Sequence, residues 1–288
     1  RISSPAMIGG QKVMRTAENG TYRFPMLPPG RYRIVVETPG LAALTGSELL
    51  ELGRTSTVNW KFAAAASAVV EVTETAANMD ATPVGVTSNY NTTELATLPT
   101  ERTLSGIMNL TPGVNSTRAW GGDSRDNAYM MDGINISDPQ SNSRWIEPNP
   151  DWFSEIQVGG IGAPAEFGSF NGGFVNGILK RGGNETTGSF SGYYADNKWE
   201  ALSSNSDSRL TAEDRKLSPA KNWDMALNIG GPILKDKLWY FASVERKQSE
   251  DTPIGAATSS RRSELLALTK LTWQVIPSAT LEGVFEYD

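Results

Sequence analysis

From Thr187 to Asp288 apolar and polar side chains alternate with period two along successive runs of about 10 residues, a rhythm that strands satisfy and helices do not. Trp223, Met225, Leu227 and Ile229 share one face, and Asn222, Asp224, Ala226 and Asn228 the other. After Gly230-Gly231-Pro232 the run Leu238 to Val244 comes back. Leu265, Ala267, Leu271, Trp273 and Val275 then oppose Leu266, Leu268, Lys270, Thr272 and Gln274. Beyond Ile276-Pro277-Ser278, Leu281, Phe285 and Tyr287 oppose Thr280, Glu282 and Glu286. Periodicity alone fits both a soluble sandwich with an apolar interior and a membrane barrel with an apolar exterior.

Four features favour the barrel. Tyr193, Tyr194, Trp199, Trp223, Trp239, Tyr240, Trp273 and Tyr287 stand near run ends, where an interfacial girdle requires them. The runs approach the roughly 9 to 11 residues that cross a bilayer, and no charged residue stands among the apolar faces named above. The long polar connection from Ser203 to Lys221 also contrasts with short turns at Gly230 and Pro277, as the two rims of a barrel do. Five strands fall short of the roughly eight in the smallest such barrels, so more chain is expected after Asp288. The start at Arg1 shows no Met, basic region or apolar export segment, and an upstream portion is expected there too.

Cys and His are both absent, which closes disulfides, thiolate nucleophiles, Cys/His zinc sites, imidazole bases and haem ligation by His. The 26 basic against 32 acidic residues give a net charge of -6, which argues against a nucleic-acid partner. The longest uncharged apolar stretch, Phe62 to Val70, is about half of what a membrane helix needs.

Residues 1–62 alternate like a small antiparallel domain. Asn19-Gly20 precedes Tyr22 and Phe24, and Pro28-Pro29-Gly30 turns the chain into Tyr32, Ile34 and Val36, with Arg31 and Arg33 opposite. Leu49 to Leu52 and Val58, Trp60, Phe62 supply further apolar runs, enough for one β-sandwich. Residues 63–93, rich in Ala, Ser, Thr and Asn, read as a linker holding one β-prone run, Val69-Val70-Glu71-Val72-Thr73. Residues 94–185 read as an α+β domain with one helix over Thr103 to Leu110, ended by Thr111-Pro112-Gly113, and with glycines that mark tight turns and close approaches. Residues 186–288 are the barrel strands.

The segment from Glu18 to Tyr32, ENGTYRFPMLPPGRY, resembles the carboxypeptidase-regulatory-like domain, a transthyretin-like sandwich of the carbohydrate-binding-like fold group. Leu98-Pro99 to Arg102 with Leu110 to Val114, Tyr129 to Ile134 around Asp132-Gly133, Glu155 to Val158, Ala165 to Gly168, Gly172-Gly173 and Val175 to Arg181 resemble the plug of TonB-dependent outer-membrane receptors, especially the Oar-like subgroup. Asp132, Gly133, Glu155, Gly168, Gly172, Gly173 and Asn176 are the plug-motif residues the resemblance carries over. The family's usual Arg-Gly after the Glu-Ile-x-Val strand is Gly159-Gly160 here.

Val69, Val70, Glu71, Val72 and Thr73 resemble a TonB box, which suits a segment that adds as a strand to a partner's sheet edge. The resemblance implies active import of an extracellular siderophore, saccharide or peptide, with TonB and its inner-membrane energising complex as partner. It places the barrel in outer-membrane lipid and the N-terminal domain and TonB box in the periplasm. A non-transporting Oar-like adhesion protein and a soluble carbohydrate-binding β-protein are the alternatives.

No catalytic residue, cofactor or metal is expected. Asp123, Asp126, Asp132 and Asp138 fit no EF-hand spacing and read as turn residues. Glu147, Asp151, Glu155 and Glu166 provide acids for a glycosidase pair only if the fold brings two together. Gly159-Gly160-Ile161-Gly162 lacks the following helix a phosphate loop needs. Trp120, Trp145 and Trp152 are candidates for ligand stacking or for packing.

Overall fold

Short alternating runs pair into a sheet at the N-terminal end. The computed structural model describes residues 1–7, 10–62, 85–98, 101–163, 167–196, 199, 220–251, 258–276 and 279–288. Strands β1 (Ile2–Ser3), β2 (Gln11–Lys12), β3 (Gly30–Val36) and β4 (Leu44–Leu50) form an antiparallel sheet in the order β2-β1-β3-β4. Alternation along β3 buries Tyr32 and Ile34 and exposes Arg31 and Arg33. Ile2, Met7, Tyr32 and Ile34 form the core, and Phe24, Leu27, Val36, Leu50, Val58 and Trp60 pack on it.

The second layer of this small sandwich is irregular. The Tyr22 hydroxyl donates to the Val58 carbonyl at 2.7 Å and accepts from Trp60 Nε1 at 2.9 Å, joining two extended segments over the sheet. Trp60 lies against Gly46, where a Cβ would come within 2.7 Å of its ring. A side chain there would lift the covering layer.

The next sheet contains β5 (Thr87–Asn91), β8 (Ala128–Met131), β9 (Ile134–Asn135), β10 (Phe153–Gly159) and β11 (Phe174–Leu179), in the order β5-β10-β11-β8-β9. The β11–β8 pair is parallel and the others antiparallel. Between them lie α1 (Thr92–Thr97), α2 (Leu104–Met108) and a hairpin of β6 (Val114–Asn115) and β7 (Arg118–Ala119). Trp152, Phe153, Ile156, Val158, Phe174 and Val175 form the sheet's core, each 2% exposed or less.

Thr103 caps α2 by accepting the Gly106 N–H at 3.0 Å, and the helix ends two residues before Leu110. β5 and the start of α1 fall inside the stretch read as a linker. The strand's sequence, Thr-Ser-Asn-Tyr-Asn, carries no apolar alternation, and its pairing with β10 creates it. The candidate TonB box, Val69 to Thr73, lies outside the described residues, as does Glu166.

The chain divides into two units, Arg1–Gly183 and Asn184–Asp288. In the second, β12 (Thr187–Asp196), β13 (Ala220–Leu234), β14 (Leu238–Asp251), β15 (Ser260–Ile276) and β16 (Ala279–Tyr287) make an antiparallel meander in chain order. Phe190, Leu227 and Val244 are register neighbours on one face and are 70%, 57% and 50% exposed. The opposite face is mixed: it buries Asn228, Ser243, Glu245, Lys270 and Thr272 together with Ala226, Trp239, Phe241, Leu266 and Leu268. Lys270 Nζ meets Glu282 Oε2 at 3.1 Å. A broad exposed apolar face backed by buried charged and amide side chains is the reverse of what a soluble sheet favours and fits a lipid-facing one.

The strands of 15, 14 and 17 residues are longer than the runs of about 10 read from the sequence. The apolar band from Leu265 to Val275 covers about 33 Å of strand, or about 25 Å along the axis of a barrel tilted by about 40°, the height of a lipid-facing band. Arg246, level with Met225 and Leu265, closes the band, and the ladder continues past it through the Lys247↔Glu264 and Glu250↔Arg261 pairs. Backbone pairing is indifferent to side-chain polarity, which is why apolar alternation underestimates strand length. Two of the girdle aromatics are misassigned. Trp239, 2% exposed, lies on the opposite face with its indole N–H donating to Asn184 Oδ1 at 2.8 Å, and Tyr193 pairs with Asp224 on that same face.

Candidate functional site

Asp132 (φ 49°) and Gly133 (φ 78°) form the two-residue turn of the β8–β9 hairpin, closed by the Met131↔Ile134 pair. Two successive left-handed residues match the right-handed twist of the strands, and Asp-Gly adopts them at low cost. The Leu179 N–H donates to Asp132 Oδ1 at 3.0 Å, the Asp132 N–H to the Gly177 carbonyl at 2.8 Å, and the Gly133 N–H to Asn176 Oδ1 at 3.2 Å. Asp132, Gly133 and Asn176, far apart in sequence, thus tie the hairpin to β11. Asp132→Ala is expected to cost about 1 to 3 kcal/mol, through the left-handed backbone and the orphaned Leu179 N–H. Asp132→Asn keeps both the backbone tolerance and an acceptor and should recover most of the loss in thermal unfolding.

The glycines around Trp120 serve a different purpose. Trp120 has φ 46°, and its N–H donates to the Gly113 carbonyl at 2.9 Å. Its ring lies where a Cβ on Gly113, Gly160 or Gly173 would collide with it. A Cβ on Gly159 would meet the Phe174 ring at 2.6 Å. The departure from the family pattern lies at Gly159, where the family's Arg would place its Cβ against the Phe174 ring and, at 2.8 Å, Thr87 Cγ2, while Gly160, which keeps the pattern, leaves room for the indole. Asn127 Oδ1 accepts the Gly173 N–H at 2.9 Å and would lie 2.5 Å from a Cβ on Gly172. Among the described residues no heavy atom lies within 4 Å of such a Cβ on Gly168.

Of the three tryptophans, Trp152 is completely buried, Trp120 is half-buried among glycines, and Trp145 is 67% exposed. Burial removes Trp152 from any ligand surface and leaves Trp145 as the exposed indole of the three. The carboxylates are taken up singly. Glu147 pairs with Arg144 and accepts the Leu104 N–H at 2.9 Å, and Asp151 meets Arg102 at 2.7 Å. Asp123 and Asp126 form a capping box, and Asp138 accepts the Gln140 and Ser141 N–H groups. Among the described residues no three acidic side chains gather as a metal site.

Glu155 is the exception, and its surroundings were not legible in the sequence. It is 4% exposed on β10, and its Oε1 accepts the Leu52 N–H at 2.9 Å. The Leu52 carbonyl accepts from Asn89 Nδ2 at 3.2 Å and Gln157 Nε2 at 3.3 Å. Asn89 and Gln157 are register partners on β5 and β10, so one residue of the N-terminal domain bridges two strands of the next sheet. Burial pushes the Glu155 carboxyl up to about 7, with Glu51 and Glu94 adding to the rise and the Leu52 N–H and Arg54 opposing it. The only local signal was polar residues at alternate positions 89 and 91, and 155 and 157, where a half-buried strand pair would carry apolar ones.

No family model matches the chain. It is 28% identical over 255 residues to the TonB-dependent transporter Oar of Myxococcus xanthus, a match covering 83% of this chain and 24% of that protein. The chain thus spans about a quarter of that relative's length. Among solved structures it resembles the outer membrane transporter YddB from Escherichia coli, with TM-score 0.54 and 18% identity over 71% of this chain and 33% of the other. It likewise resembles the siderophore receptor PirA from Acinetobacter baumannii, with TM-score 0.51 and 21% identity over 70% and 31% of the two chains. At these identities the structural likenesses establish the fold, which is that of TonB-dependent outer-membrane receptors.

Proposed function

We propose that this chain, which has the fold of TonB-dependent outer-membrane receptors, works as part of a transporter that imports an extracellular ligand across the outer membrane. The single observation that carries the proposal is the second unit's inverted sheet. A broad exposed apolar face, opposite a face that buries Asn228, Glu245 and Lys270, suits lipid outside and an enclosed interior that admits polar groups. The first unit adds a sheet whose Asp-Gly hairpin and glycine-seated Trp120 suit a plug. Domain limits at 1–62, 63–93, 94–185 and 186–288 are part of the proposal, with the first two in the periplasm.

A ligand held above a plug needs that plug to rearrange, and mechanical work through a paired strand can supply this. Val69 to Thr73 is the segment proposed to pair with TonB, by main-chain hydrogen bonds to a sheet edge. The exposed Trp145 is proposed as a ligand contact, suited to sugar rings or aromatic chelators. Siderophores, saccharides and peptides all remain within this scheme.

The test is calorimetric titration of a peptide covering Ala63 to Asn78 against the periplasmic domain of TonB. A control carries Val70→Pro and Val72→Pro, which remove two N–H donors. Binding that the control loses is the expected result. No binding, from a domain shown to bind another receptor's box, would instead support a non-transporting surface protein.

A further inference from the structure

The N-terminal domain has no assigned role in this scheme, and its contact with the sheet of β5, β10 and β11 is built in an informative way. The loop after β4, Glu51 to Arg54, meets that sheet through Leu52. Its N–H reaches Glu155 on β10 and its carbonyl reaches both Asn89 on β5 and Gln157 on β10. Gly53, at φ 68°, lets the loop come so close that a Cβ would stand 3.1 Å from Gln157 Nε2. These contacts straddle one strand pair, β5 with β10.

β5 is the edge strand of its sheet and all five of its residues are only half-buried. Little apolar burial holds it, so the β10 ladder, the hydrogen bond between the Tyr90 hydroxyl and Thr111 Oγ1 at 3.0 Å and the Leu52 contacts carry its attachment. We infer that Glu51 to Arg54 is a releasable clasp by which the N-terminal domain holds β5 on β10, so that β5 leaves the sheet only after the clasp opens. The role assigned to the N-terminal domain is therefore to set the load at which the plug yields. This rests on the proposal that TonB pulls on Val69 to Thr73, since β5 follows that segment in the chain.

Releasability follows from the contact's composition. Among the described residues, Gln157 Oε1 and Asn89 Oδ1 are buried there without hydrogen-bond partners, and both regain water when the clasp opens. Glu155 is a buried carboxylate facing Glu51 from the loop and Glu94 from α1. Arg54, the cation nearest in influence, is itself paired with Glu51 at 2.9 Å. The Leu52 N–H favours the charged form of Glu155, but burial is the larger effect, so the charged form opposes closure and the neutral form favours it.

The sign is fixed by the carboxyl standing near 7 in the closed clasp, against 4.5 ordinarily. Closure is fully favoured below the ordinary value and weakens as pH rises through about 7.

The experiment is hydrogen exchange on the full receptor in detergent, read at the β5 amides and normalised at each pH to an unstructured peptide. Leu52→Pro removes the loop's donor, and the pair Asn89→Ala with Gln157→Ala removes the opposite side without touching the N-terminal domain. Both are expected to speed β5 exchange by about tenfold or more while β3 and β11 stay protected. In the unaltered receptor, normalised β5 exchange should rise several-fold from about pH 5 to about pH 8, and Glu155→Gln should flatten that rise. Unchanged β5 exchange in both clasp variants would overturn the inference, as would a pH response that Glu155→Gln leaves intact. The measurement involves no TonB, so an intact clasp with a failed peptide titration would sink the transport proposal alone.

Discussion

Trp152→Ala is expected to destabilise the first unit by about 3 to 5 kcal/mol, the range for emptying a large buried aromatic site. Trp152 is 0% exposed and lies beside Phe153, with the Lys180 N–H donating to its carbonyl at 2.7 Å. The neighbouring sheet residues Phe153, Ile156 and Leu179 are also buried and are held by the β10–β11 ladder, so the site cannot collapse fully. At the size of this unit each kcal/mol lowers the midpoint by about 2 to 4 °C, giving a fall of about 6 to 20 °C.

Trp145→Ala, at the exposed tryptophan, should change stability by no more than about 0.5 kcal/mol. Thermal unfolding followed by near-ultraviolet circular dichroism checks both. Equal midpoints for the two variants would mean that Trp152 is not a core residue. The pair also separates packing from recognition, because a ligand-binding loss in Trp145→Ala at unchanged stability would assign that ring to the ligand.

Ile229→Arg should cost about 2 to 4 kcal/mol, and Met225→Arg about 0 to 1, when unfolding by denaturant is followed in lipid. Ile229 lies near the middle of the apolar band, opposite Ala242, whereas Met225 lies level with Arg246 at its edge. Both side chains are exposed, so a soluble sheet would tolerate arginine at either place about equally. A depth-dependent penalty therefore identifies the solvent of that face as lipid. Similar small costs at both positions would show that the face meets water.

Legibility differed sharply between the two units. The face assignments of Met225 against Ala226, or Leu265 against Leu266, came directly from the alternation, because a strand's side-chain period is set by its own backbone. Asp132-Gly133 was legible as a hairpin for the same local reason, as two residues that tolerate left-handed backbone between alternating neighbours. β5 was hidden. A strand without apolar alternation acquires its identity only from the β10 ladder beside it. Trp239 was read as a girdle candidate from its place near a run end, which says nothing of direction, whereas its bond to Asn184 does.

The candidate site divides in the same way. That Gly159, Gly160, Gly172 and Gly173 mark close approaches was readable from their density, but the sequence could not say that Trp120 is what approaches Gly160 and Gly173. Nor could it separate Trp152 from Trp145, since the two residue types are identical and only burial distinguishes them.

By itself, then, the sequence determined the local quantities: strand periodicity, the lipid-like face, the Asp-Gly turn, and the absence of thiol and imidazole chemistry. Only the tertiary structure decided the parallel β11–β8 pairing, the glycine seat of Trp120, and the meeting of Leu52 with Asn89, Glu155 and Gln157. The physical reason is that periodicity and turn chemistry act over a few residues, whereas these contacts join positions from about 40 to over 100 residues apart, where many alternative partners satisfy the same local rules.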